Sequence, residues 1–135
     1  MEEYKKSYKG FIVMLLLFAA VLFAIILIPT EDEKLVALLI FNIAVVWMTL
    51  LTWVIYKTEK IYWYTGLEYE DAVKASSEQR KKFAMQHFKR FAIFTVIYIV
   101  YSAISYIINL GIGFDIAIGT VGIIAVAIST MNIKL

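Results

Sequence analysis

Apolar residues in this chain come in long runs, not at alternating or three-to-four spacings. The first run extends from Gly10 to Pro29 without a charged residue, and the second, from Leu35 to Tyr56, is equally uncharged. A third runs from Phe91 to Leu110, and a fourth occupies 115–133, with its apolar stretch starting at Ile116. A hydrocarbon layer about 30 Å thick is crossed by ~20 apolar residues of helix. Each run has about that length. In water, helices apolar on every face would leave too little polar surface to solvate them. The pattern predicts an all-α integral membrane protein, one membrane domain over 1–135, with spans at 10–29, 35–56, 91–110 and 115–133.

Composition agrees with the pattern. The chain is 62% hydrophobic and 18% charged, against about half and about a quarter in soluble domains. The first run follows Lys5, Lys6 and Lys9, as a secretory leader does. It is longer than the ~7–15 apolar residues of a leader, and no small-x-small site follows it. Ile28-Pro29-Thr30 stands there instead, so the run reads as a retained helix. Heavy use of Ile, Lys, Tyr and Phe points to an AT-rich, bacterial genome.

Charge sets the expected orientation. Lys and Arg flanking spans stay on the cytoplasmic side. With the N-terminus inside, the cytoplasm receives residues 1–9, the loop 57–90 and the tail, and with them every Lys and Arg except Lys34. The expectation is a multi-pass protein of the cell membrane with both termini cytoplasmic (N-in/C-in). Thr30 to Lys34 joins the first two spans and Gly111-Ile112-Gly113-Phe114 the last two. Links this short predict two antiparallel helical hairpins. Trp53 and Tyr56, followed by Tyr62, Trp63 and Tyr64, read as interfacial anchors or as an aromatic docking surface.

The loop 57–90 carries eight basic and five acidic residues. Thr65-Gly66-Leu67-Glu68 and Ser76-Ser77-Glu78-Gln79 both fit capping boxes. Nothing after Ser76 breaks a helix before Gly111, so the loop feeds directly into the third span. Phe83, Ala84, His87, Phe88 and Phe91 fall on one helical face. Arg80, Lys81, Lys82, Lys89 and Arg90 surround it. This amphipathic helix reads either as resting on anionic headgroups or as a docking element for a partner. Its candidate binding residues are Arg80, Lys81, Lys82, Phe83, His87, Phe88, Lys89 and Arg90.

Inside the spans, ionisable residues would mark transport. Asp115 is the one candidate, and its place at the start of the fourth span suits a helix cap or an outer ion-attracting carboxylate. Tyr98, Ser102, Ser105 and Asn109 form one stripe on the third span, and Gly119 and Gly122 share a face with Asp115 on the fourth. Asn42, an amide in hydrocarbon, needs a partner. Small and hydroxyl residues in such positions serve close helix packing, or they line a polar path.

Catalytic chemistry is poorly represented. The chain has one histidine and no cysteine, which excludes thiolate metal sites and disulfides. No phosphate-cradling Gly loop and no Ser/His/Asp set occur. A net charge of +2 gives no footprint for nucleic acid. The expectation is a non-enzymatic protein without cofactors, an accessory or immunity-type subunit that meets a membrane partner or its own copy. The alternative is a homo-oligomeric channel or small-solute transporter.

Overall fold

The structure, a computed structural model, describes residues 3–135; Met1 and Glu2 of the expected 1–135 domain lie outside them. It is built from helices: α1 (Lys9–Ile26), α2 (Glu33–Thr58), a 3₁₀ turn (Ile61–Trp63), α3 (Tyr69–Lys74), α4 (Ser77–Ile108) and α5 (Ile112–Thr130). Among the described residues there is no strand. Helices α1, α2, α4 and α5 are long and apolar enough to cross a membrane.

Helix boundaries follow local chemistry. Helix α1 stops at Ile26 and not at Pro29, because a residue before proline is pushed out of the helical region. Asp32 caps α2 by accepting from the Leu35 N–H at 2.9 Å. Lys34, expected in the connecting link, therefore belongs to the first turn of α2. At the other end Glu59 turns the chain in the left-handed region, with φ 58°.

Ser76 and Gln79 form the expected capping box at the start of α4, and the helix continues unbroken for 32 residues. That length corresponds to about 48 Å, well beyond the hydrocarbon thickness. The Thr65–Glu68 box does not form. Helix α3 begins at Tyr69 after Glu68, with no side-chain cap. Gly66 instead takes a positive φ of 88° in the turn, a conformation that costs glycine little. Helix α5 starts at Ile112, so Gly113 is helical and not part of a turn, and Asp115 lies in the first turn instead of capping it.

Helices α2 and α4 make the main contact, and α5 packs on both. Two glycines set the approach of α5. A Cβ at Gly119 would come 2.5 Å from the Phe41 ring, and one at Gly122 would come 2.5 Å from the Phe94 ring. Both rings lean on Tyr98, with centroids 6.2 and 6.0 Å away, so neither moves freely. Helix α1 packs chiefly on α2 and buries only Ile25.

The segment after α2 folds back as a cap on the end of the bundle. Ile55, Ile61, Tyr62, Trp63, Ala72, Phe83 and Ala84 form its core. Tyr62 and Trp63, expected as lipid anchors, are interior residues here. Their polar atoms hold the N-terminal segment: Ser7 N–H donates to Tyr62 Oη at 2.9 Å, and Trp63 Nε1 donates to the Ser7 carbonyl at 3.0 Å. Tyr4 Oη donates to the Glu59 carbonyl at 2.6 Å, and Tyr69 Oη donates to the Tyr4 carbonyl. Ile133 packs on the same core from the C-terminal side.

Gly119→Ala forces a methyl into the Phe41 ring and should lower stability by about 1–3 kcal/mol. A Cβ at Gly113 meets nothing within 4 Å. Gly113→Ala should therefore be neutral or stabilising by up to about 1 kcal/mol. Thermal unfolding of both variants in detergent checks the pair.

Candidate functional site

The bundle interior holds three polar rungs between α2 and the helices facing it. At the end away from the cap, the first turn of α2 points Lys34 across to the first turn of α5. Its Nζ donates to Asp115 Oδ2 at 2.6 Å, to the Leu110 carbonyl at 2.6 Å and to Ser105 Oγ at 2.8 Å. An ammonium has three protons, and each finds an acceptor. Asp115 Oδ1 accepts from Ser105 Oγ at 2.5 Å and from Tyr101 Oη at 2.8 Å. Tyr98 Oη donates to the Asp115 carbonyl at 3.2 Å. Asp115 is 0% exposed and the Lys34 side chain 11%.

Helix dipoles favour this arrangement. The carboxylate lies at an N-terminus, where free N–H groups carry partial positive charge. The ammonium meets Leu110, just past the C-terminus of α4, where carbonyls carry the opposite sign. Asp115 is therefore an ion-pair partner and neither a cap nor an open outer carboxylate. Lys34 is the residue that sequence reasoning missed. It looked like an isolated charge beside Glu31, Asp32 and Glu33. The available signal was one base and one acid at the edges of two uncharged apolar runs. Nearby, Tyr106 Oη donates to Asp32 Oδ2 at 3.0 Å, an exposed link between α4 and the α2 cap.

The second rung is Asn42, whose Nδ2 donates to Ser102 Oγ at 2.8 Å and to the Leu38 carbonyl at 2.7 Å. Ser102 Oγ in turn donates to the Tyr98 carbonyl at 2.8 Å. The third joins Thr49 and Thr95, hydroxyl to hydroxyl at 2.7 Å, with Thr95 Oγ1 donating to the Val45 carbonyl at 3.0 Å. Tyr98, Ser102 and Ser105 are all buried, so most of the expected stripe faces inward. Asn109 leaves it. That residue ends α4 in the left-handed region at φ 53° and is exposed. Gly119 and Gly122 supply the close contacts to Phe41 and Phe94.

The expected loop surface divides into two parts. Phe83 and His87 are buried, with His87 stacked on Tyr64 at 4.1 Å between centroids and its Nδ1 3.0 Å from the Phe83 carbonyl. Phe88 leans on Trp53 at 5.2 Å. This face is cap interior, not a surface laid on headgroups, because the 3₁₀ turn covers it. Arg80 is structural too. It pairs with Glu59 at 2.9 Å, donates to the Ala72 and Ala75 carbonyls at 3.2 and 2.5 Å, and lies 4.3 Å over the Tyr4 ring. Burial works against ionisation of Glu59, but hydrogen bonds from Ser77 and Arg80, with the charges of Arg80 and Lys81, outweigh it and hold the carboxyl below its ordinary value. Arg90 reaches the Ser129 carbonyl at the end of α5. Lys81, Lys82 and Lys89 remain exposed. Among the described residues, no three His, Asp or Glu side chains converge on a metal-sized site.

Removing one member of a buried ion pair costs about 3–5 kcal/mol, because the other is stranded. Lys34→Met should destabilise the protein by that amount. Lys34→Met with Asp115→Asn should recover most of it, as read from unfolding of the two variants in micelles.

No protein-family model, no curated protein and no solved structure matches the chain, so the paired interior and the cap are what bear on its function.

Proposed function

We propose that the chain is a small non-enzymatic subunit of the cell membrane. In this reading it crosses the bilayer as two antiparallel helical hairpins with both ends in the cytoplasm. It acts by packing against a membrane partner, as an accessory or immunity-type protein. Charge supports the orientation: every Lys and Arg except Lys34 lies on the cap side, and Lys34 is neutralised by Asp115. The contacts of Tyr4, Ser7 and Ile133 with the cap fit an arrangement in which both ends share its side.

The observation that carries the functional reading is the closure of the three rungs within one chain. A conduction path needs polar groups facing a lumen. Here Lys34, Asn42, Ser102, Ser105, Thr49, Thr95 and Asp115 spend their hydrogen bonds on one another and on nearby backbone. What remains outward is lipid-facing apolar surface on α1, α4 and α5, and exposed Lys81, Lys82 and Lys89 on the cap. A partner is accordingly met by helix packing within the bilayer and by charge at its surface.

Crosslinking in native membranes followed by mild-detergent purification should capture a second membrane protein with the chain. Liposomes containing the purified chain alone should stay tight to ions. A chain that always purifies alone, in vesicles that leak and are sealed by Asn42→Leu, would replace this reading with that of a homo-oligomeric channel.

A further inference from the structure

The N-terminal segment, the end of α2 and the start of α4 border an open concavity of about 530 Å³. Basic side chains dominate its wall: Lys5, Lys57, Lys60 and Arg80, with Ser7 and Thr58 also lining it, the Thr58 hydroxyl donating to the Val54 carbonyl at 2.8 Å. Two acids, Glu3 and Glu59, also line it. Glu59 is consumed by Arg80 and, at 3.6 Å, by Lys81, and Arg80 by Glu59 and two carbonyls. Lys5, Lys57 and Lys60 therefore face a single remaining acid. Among the described residues none of these three lysines forms an ion pair.

Two of the lysines are held in place by aromatic rings. Lys57 Nζ lies 4.7 Å from the Trp53 ring centroid, and Lys60 Nζ lies 5.3 Å from that of Trp63. Such cation–π contacts position an ammonium without neutralising it. Trp53 is 36% exposed near the end of the apolar run, the depth at which tryptophan meets the headgroup layer. The cleft thus combines unneutralised positive charge, the Ser7 hydroxyl, a concave wall and headgroup depth. An anion that enters it replaces no existing salt bridge.

We propose that this cleft binds the phosphate of an anionic phospholipid headgroup, with Lys57 and Lys60 as its main contacts and Lys5 closing it from the N-terminal segment. The inference uses the proposed bilayer placement for depth alone and is independent of which partner the chain meets.

Native mass spectrometry of the full chain ejected from nanodiscs tests it. The wild type should retain phosphatidylglycerol and release phosphatidylcholine. Each basic residue near an anionic surface adds to binding, so Lys57→Gln with Lys60→Gln should weaken retention about 30-fold and Lys5→Gln alone about fivefold. Lys82→Gln with Lys89→Gln, which alters exposed lysines that neither line the cleft nor pair with its acids, should leave it unchanged. Circular dichroism on each variant reports folding. Lys5 precedes α1, so its variant keeps the test decisive even where the double change disturbs α2. Equal retention of phosphatidylglycerol by the wild type and the cleft variants would overturn the proposal, as would equal retention of the two lipids. Full displacement of lipid by soluble glycerol phosphate would assign the cleft to a free phosphate and overturn the lipid assignment.

Discussion

An ammonium and a carboxylate 2.6 Å apart at the rim of an apolar bundle hold a geometry that neither can leave alone. In hydrocarbon a polar group has no water to fall back on. Lys34 therefore needs α4 and α5 together, because its three acceptors come from Ser105, Leu110 and Asp115. That requirement fixes the rotation of α2 about its axis. Once α2 is set, Asn42 and Thr49 face α4, and Ser102 and Thr95 stand ready to meet them. The glycines at 119 and 122 then let α5 come close enough for Asp115 to reach the pair. The ion pair, the rungs and the small-residue contacts are thus parts of one constraint.

The opposite end of the bundle solves a different problem. There the chain leaves the apolar layer and must build a core from few residues. It does so with rings. Tyr4 stacks on Tyr69 at 5.8 Å, Tyr62 meets both edge-on, and Phe11 leans on Trp63. Tyrosine suits this place because its body packs while its hydroxyl finds a carbonyl. Burial also pushes the Tyr4 hydroxyl up to about 12, which keeps it protonated to donate its hydrogen bond to the Glu59 carbonyl. Arg80 then ties together the end of α2, the carbonyls of α3 and the N-terminal segment, a task suited to a planar fork with five donors.

Much of this architecture is legible in the sequence itself. Uncharged runs of about twenty residues give helices of membrane length because bilayer thickness and helical rise leave no other solution. The Ser76 box and the uninterrupted α4 followed from the same local rules. What escaped the sequence was pairing. Asp115 and Lys34 are 81 positions apart, and no local rule links them. The Thr65 box failed because its Gly66 was needed for a positive-φ turn. Tyr62 and Trp63 carry the composition of lipid anchors, yet the fold-back of 61–76 covers them. An aromatic residue near a span reads the same whether lipid or protein lies against it.

The order in which these residues leave the ribosome gives the ion pair one more meaning. Lys34 is made early and Asp115 late, so until the last helix exists the Lys34 ammonium lacks the carboxylate that it meets at 2.6 Å. Only the last helix carries the anion that lets it go dry. This end of the bundle can therefore close only after residue 115 has been made.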